Sequence, residues 1–268
     1  MNTEMKSKLM SGNEAVALAA IHLGVSLGTG YPGTPSTEIL EYFSQCGGRA
    51  QWSPNEKVAL EVGIGVAYGG ARALVTMKHV GVNVAADPLF TVAYTGVRGG
   101  LALVSADDPG MASSQNEQDN RRYARAASVM MLEPADSQEA YDFLFDAFAL
   151  SETWSLPVLF RMTTRVCHSR GIVALREPAP CGNAPHFVRD RQSYVMIPGF
   201  ARPAHRRMRE KMAKIKQWNE LSTLNTLFDG DKSLGIVTSG VAFLHAREAA
   251  PDAHILKLGM TYPLPLDT

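Results

Sequence analysis

Four short stretches of this 268-residue sequence carry side chains able to do chemistry. Glu56 stands three residues after Ser53, with Pro54 between them, at the head of an apolar run. That is how a helix start is written, with Ser as N-cap, Pro at the first helical position and Glu closing a capping box. The run behind it makes that reading incomplete. Gly63, Gly65, Gly69 and Gly70 lie in the helix Glu56 would open, and each costs about 1 kcal/mol relative to Ala. A helix that carries them has something pressed closely against it. Lys78-His79 sets an amine beside an imidazole, either a binding pair or a loop turning on Gly81. Asp107-Asp108 offers paired carboxylates for a metal or a general acid, but Pro109-Gly110 behind them equally writes a turn. Ser113-Ser114 lacks the G-x-S-x-G setting of a hydrolase nucleophile. No G-x-G-x-x-G follows a strand, so a dinucleotide site is unsupported.

The elements that must position these residues follow a strand-then-helix rhythm over the first 165 residues. Gly12 to Leu23, Ser36 to Gln45 and Asp136 to Leu150 read as helices, the last with capping-box spacing from Asp136 to Glu139. Val25 to Tyr31, Arg49 to Trp52, Ala73 to Met77, Leu101 to Ala106, Val129 to Leu132 and Pro157 to Phe160 read as short strands, most of them apolar throughout. Such alternation predicts an α/β fold, a mostly parallel sheet of about six strands over residues 12–165 with helices on both faces. Ligands of such sheets sit at the carboxyl ends of the strands. The polar stretches 30–36, 53–56, 78–83 and 107–119 each follow a strand, so they are expected to converge on one edge.

Beyond about Arg176 the texture changes. Residues 177–185, rich in Pro, read as a linker, and Pro203 to Trp218 as a basic helix, solvated or packed on the chain rather than bound to nucleic acid. Leu234 to Thr238 and His254 to Leu258 are further strands, and the single β-α-β unit they make cannot bury a sheet by itself. The hydrophobic share is 46%, the charged share 19% and the formal net charge zero, which permits a large core and argues against a general binder of nucleic acid or acidic membranes. No apolar stretch is long enough to span a membrane, and no signal-peptide core follows the N-terminus, so a soluble, cytoplasmic chain is expected. Cys46, Cys167 and Cys181 are scattered, which supports neither a disulfide framework nor a metal or cluster motif.

Several stretches together resemble one family. Gly-Tyr-Pro-Gly-Thr-Pro-Ser-Thr-Glu (30–38), Asn55-Glu56 with its Gly-Ala-Arg ending, Met77-Lys78-His79-Val80-Gly81-Val82-Asn83 and Ser-Ala-Asp-Asp-Pro-Gly-Met (105–111) are similar to alpha subunits of the indolepyruvate ferredoxin oxidoreductases. Ser-Ser-Gln-Asn-Glu-Gln-Asp (113–119) and the closing Leu-Lys-Leu-Gly and Tyr-Pro-Leu-Pro also fit. These belong to the thiamine diphosphate-dependent 2-oxoacid:ferredoxin oxidoreductases, which oxidatively decarboxylate arylpyruvates, form the acyl-CoA and reduce ferredoxin. The resemblance implies a pyrimidine-binding domain over 1–175, a linker with the basic helix over 176–232, and the start of a transketolase-C-like domain over 233–268. It makes Glu56 catalytic and cofactor-binding, the carboxylate that shares a proton with the aminopyrimidine ring nitrogen, and puts Asn83 on the cofactor as well. The glycines then fit close packing of helix against helix and cofactor. Thr34 would face the substrate carboxylate, and Gly33, Lys78, His79, Gln115 and Asn116 would also bind the substrate, Lys78 and His79 as features of the arylpyruvate branch. The arginine that pyruvate-type members place near the substrate has no counterpart; Asp107-Asp108 occupies that region.

Two parts of the family's machinery are not expected within these residues. The cofactor's diphosphate and magnesium require a G-D-G motif with a following Asn, and Gly230-Asp231-Lys232 is a decoy without one. The cysteine-rich runs that hold the family's iron–sulfur clusters are also missing. The chain is therefore expected to be incomplete and inactive alone, relying on a diphosphate-binding region and a beta subunit elsewhere, with no metal ligands of its own. Two other functions stand beside this one: a component of a non-oxidative thiamine-dependent 2-oxoacid decarboxylase, and a non-catalytic α/β assembly module.

Overall fold

The computed structural model describes residues 6–178 and 184–266. The chain runs Ser7–Ser11 (β1), Gly12–His22 (α1), Leu27–Gly30 (β2), Thr37–Gln45 (α2), Ala50–Trp52 (β3), Glu56–Tyr68 (α3), Ala73–Lys78 (β4), His79–Val84 (α4), Ala86–Thr95 (α5) and Leu101–Asp107 (β5). It continues with Arg121–Ala127 (α6), Met130–Leu132 (β6), Ser137–Trp154 (α7), Val158–Thr163 (β7), Thr164–His168 (α8) and Arg170–Ala174 (β8). Arg191–Tyr194 (α9), Pro198–Asn219 (α10), Thr226–Phe228 (β9), Asp231–Ser239 (β10), Val241–Ala249 (α11), Ala253–Leu258 (β11) and Met260–Tyr262 (β12) complete it.

The main sheet has seven strands in the order β12-β6-β7-β5-β4-β2-β3. Every pairing from β6 to β3 is parallel, and only β12 is antiparallel to its neighbour. The expected α/β architecture, mostly parallel with helices on both faces, is the observed one. The reason shows in β5, which is buried along its whole length. Ala102, Val104 and Ala106 pack with α1, α2 and α7, whereas Leu101 and Leu103 pack with α3 and α5, so alternate residues of one strand feed two separate cores. The last strand, β12, ties residues 260–262 to the edge of this sheet through β6, while β10, β11 and β9 form a small sheet of their own.

Several local expectations are corrected. The N-cap of α3 is Asn55, whose side-chain oxygen accepts the Val58 N–H at 3.0 Å, and Glu56 is the first helical residue. Ser53 instead sits buried under the sheet edge, its hydroxyl 3.0 Å from that of Thr29. Glu56 therefore closes no capping box. Of the four glycines, Gly69 and Gly70 end the helix rather than lie inside it. Gly70, at φ +81°, gives its N–H to Ala67, and Ala71 reaches back to Val66, a Schellman closure. Gly63 is the one pressed against a neighbour: a Cβ there would lie 2.4 Å from Val75 Cγ2 on β4. The close partner of Gly63 is the sheet rather than another helix. Residues 79–84 form helix α4, not a loop. The antiparallel pair β1–β8 is not legible in the sequence, because neither strand is apolar enough to announce itself. Helix α10 starts at Pro198 rather than Pro203, buries Ala204, Met208, Met212, Ile215 and Asn219 in one stripe, and stacks His205 on Tyr94 of α5. It packs on the chain. Cys181 lies outside the described residues.

Candidate functional site

Because the six strands run in parallel, the segments after β2, β3, β4 and β5 all leave the sheet at one edge. Gly33 and Thr34 follow β2, Glu56 follows β3, Lys78 ends β4 with His79 behind it, and Gln115 and Asn116 lie in the segment after β5. Their contacts join them. A Cβ on Gly33 would come within 3.2 Å of Lys78 Cβ, so the first loop lies directly on β4's end. Gly33 donates its N–H to the Thr37 hydroxyl at 2.8 Å, and its carbonyl accepts the Ser36 hydroxyl at 2.9 Å. These bonds hold the turn that exposes Thr34.

Glu56 is half-buried at the first position of α3 and lies against α4. A Cβ on Gly81 would fall 2.5 Å from Glu56 Cγ and 2.7 Å from its Oε1. Only the absence of a side chain at Gly81 lets this carboxylate occupy its place. No described residue gives Glu56 a hydrogen bond or an ion pair. A half-buried carboxylate at a helix N-terminus, held in a backbone cleft and left without a partner, is fit to exchange a proton with a ligand nitrogen. That is the group the resemblance asks for, and Gly81, read from sequence only as a turn residue, is what shapes it.

The other candidates are held in a network. Lys78 Nζ donates to the Ser113 carbonyl at 2.7 Å. His79 is fully buried, with Nε2 3.1 Å from the Asn116 carbonyl and Nδ1 without a partner. Both residues thus clamp the 113–119 segment by its backbone, leaving the Gln115 and Asn116 side chains exposed. Asn83 exchanges two amide hydrogen bonds with Gln118, at 2.8 and 3.0 Å, and accepts the Tyr123 hydroxyl at 2.6 Å. Gln118 and Asn120 both donate to the His79 carbonyl, at 3.1 and 3.0 Å. Asn120, Gln118 and Tyr123 carry no individual signal in the sequence, since nothing in their spacing says what they bind.

The Asp107-Asp108 pair proves structural. Asp107 accepts Arg161 Nε at 2.7 Å and the Ser105 hydroxyl at 2.9 Å, and is fully buried. Burial pushes its carboxyl above the ordinary value, against the pull of Arg161. Asp108 is buried too, which works to raise its carboxyl. The Ser114 hydroxyl, the Ser113 N–H and the Thr164 hydroxyl overcome that and hold it well below the usual carboxylate range. The turn reading holds as well, for Met111 N–H closes on the Asp108 carbonyl. Among the described residues no cluster of His, Cys, Asp or Glu is arranged to hold a metal ion.

A family model described as "Pyruvate flavodoxin/ferredoxin oxidoreductase, thiamine diP-bdg" matches residues 18–212, a span that includes every candidate above. The chain belongs to this thiamine diphosphate-binding family. It is 46% identical to indolepyruvate oxidoreductase subunit IorA of Methanothermobacter thermautotrophicus over 99% of this chain and 45% of the relative. With the same subunit of Archaeoglobus fulgidus the identity is 42%, over 98% of this chain and 44% of the relative. This member of the family thus spans less than half the length of these two relatives. Its fold is that of the 2-oxoglutarate:ferredoxin oxidoreductase of Magnetococcus marinus, solved with 2-oxoglutarate, coenzyme A and succinyl-CoA. There the TM-score is 0.80 at 16% identity, covering 97% of this chain and 55% of the other. No helix among the described residues is long and apolar enough to cross a membrane.

Proposed function

We propose that this chain is the pyrimidine-binding part of an oxidoreductase that converts arylpyruvates, indolepyruvate among them, to the aryl-acetyl-CoA, carbon dioxide and reduced ferredoxin. The observation that carries it is the unpartnered Glu56 carboxylate braced by Gly81 at the ligand edge of the sheet. The two relatives named as indolepyruvate oxidoreductase subunits support the choice of an arylpyruvate. Thiamine diphosphate, when bound, supplies the carbon nucleophile and the electron sink for loss of carbon dioxide. Glu56 holds a proton against the pyrimidine ring nitrogen and stabilises the form of that ring able to act as a base. Asn83, its amide set by Gln118 and Tyr123, completes the cofactor side. Gly33 and Thr34 receive the substrate carboxylate. Lys78 and His79 place the segment bearing Gln115 and Asn116 over the aryl group. The ligands of magnesium and diphosphate, the iron–sulfur clusters and a beta subunit come from residues outside this chain.

Glu56→Gln tests the reading. Since Asn55 caps α3 and Glu56 makes no bond in the fold, Gln should leave stability within about 1 kcal/mol, the scale of a cap contact. In the complete enzyme, turnover of indolepyruvate should fall roughly 10²-fold or more, the range for losing acid–base assistance. Thermal melts and indolepyruvate-dependent dye reduction measure both. Turnover near wild type with Gln at this position would remove Glu56 from the chemistry.

A further inference from the structure

A cavity of about 650 Å³ opens where the carboxyl ends of β6 and β7 face the start of α11. It lies away from Glu56, for β5, β4 and β2 stand between β7 and the strand that leads to that residue, and it meets the segment after β5 from the far side, through Arg121 and Arg161. Four arginines line it, Arg121, Arg122, Arg125 and Arg161, against a single carboxylate, Glu133. That carboxylate is already spoken for: one oxygen accepts Arg161 Nη1 and the other the Thr261 hydroxyl, each at 2.8 Å. Arg161 is shared with Asp107, and Arg121 is paired with Asp119 at 2.9 Å. Arg122 and Arg125 have no acidic partner among the described residues.

The opposite wall is complementary. Helix α11 begins after Gly240 with no side-chain cap and no acidic residue in its first turn. Val241 and Ala242 line the cavity, and their N–H groups belong to the first turn, where no intrahelical acceptor exists. Gly240, at φ +54°, takes a conformation that strains any other residue, so the chain enters the helix there without a side chain of its own. The Thr163 hydroxyl, also on the wall, is buried without a partner. Val237, Leu258 and Leu264 give part of the lining an apolar surface, beside the hydroxyl-bearing Thr238, Ser239 and Tyr262.

We propose that this cavity binds a small organic phosphate. Its phosphoryl group lies between the Arg122 and Arg125 guanidiniums and the first amides of α11, and its organic body rests on Val237, Leu258 and Leu264. Two unpaired guanidiniums match a dianion, and forked donors from one wall with backbone donors from the other can reach several oxygens of one phosphoryl group from both sides. The apolar lining favours a phosphate ester over inorganic phosphate.

Isothermal titration of the full chain at fixed sodium chloride, with ADP, ribose 5-phosphate and inorganic phosphate, tests this. At least one of the two esters should bind saturably and more tightly than inorganic phosphate, and which one does so identifies the organic body. The double variant Arg122→Gln, Arg125→Gln should weaken that binding by about tenfold or more while the melting temperature holds, since neither arginine has a partner to lose. Val241→Pro removes one amide donor without changing charge, at a position where proline is accepted, and should also weaken binding. Absence of saturable binding by all three probes up to about 10 mM overturns the proposal. So does binding that the double variant leaves unchanged.

Discussion

A single glycine gives the candidate catalytic carboxylate its room. Gly81→Ala would put a methyl group 2.5 Å from Glu56 Cγ, and the flexible glutamate, not the α4 backbone, would yield. Alanine is preferred to glycine in a helix by up to about 1 kcal/mol, so the fold should be no less stable. Turnover in the complete enzyme should nevertheless fall toward that of Glu56→Gln, and paired melts and rate assays would measure the dissociation of the two effects. Asp108 shows the opposite use of a carboxylate. Its folded pKa is depressed, so its stabilising contribution is present above the ordinary value of 3.8 and is lost as pH falls through the lower folded value. In Asp108→Asn that acid-side contribution should vanish, which denaturant titrations across acidic pH would reveal as a flatter pH dependence. Cys167 is fully buried, and burial pushes its thiol up. It should resist alkylation in the native chain while the partly exposed Cys46 reacts, and mass mapping of labelled peptides would distinguish them.

Among the elements, α3 carries the clearest division between structure and chemistry. Its N-terminus presents Glu56, while Gly63, two turns on, lets the helix lie on β4. Gly63→Ala would drive a Cβ to 2.4 Å from Val75 Cγ2, and Val75 is a fully buried β-branched residue that cannot swing aside. Overpacking of this kind costs about 1–3 kcal/mol despite the better helix propensity of alanine. Urea titration should show that loss. Gly81→Ala and Gly63→Ala are thus the same substitution with opposite outcomes: one meets the free end of a side chain, the other a packed core.

On the scale of the whole molecule, Arg161 joins the parallel sheet to the strand that follows the small sheet. It bridges Asp107 and Glu133, and Glu133 in turn accepts the Thr261 hydroxyl on β12. Burial works against its charge, but Glu133 and Asp107 outweigh that and push the guanidinium above its ordinary value. Arg161→Ala would leave two buried carboxylates uncompensated, a loss of about 3–5 kcal/mol. Hydrogen exchange should quicken first in β12, which has only β6 beside it in the sheet, and thermal melting should report the global loss.

Much of this protein follows from its sequence alone. Apolar strands alternating with helices dictate a parallel sheet covered on both faces, because such strands can be buried only that way. Parallel order then forces the segments bearing Thr34, Glu56, His79 and Gln115 to one edge. The motif residues themselves are equally visible as a family resemblance. What only the tertiary structure decided is who touches whom across distant segments. Whether Ser53 or Asn55 caps α3 depends on Ser53 finding Thr29 on the neighbouring strand. Whether Asp107 serves chemistry or packing depends on Arg161, 54 positions away in the chain. Gly81 becomes meaningful only when α4 folds onto Glu56. The weak strands β1 and β8 form because each is the other's partner. Local propensity ranks the states of a segment, but these contacts are set by loop closure and close packing, which no window of sequence contains.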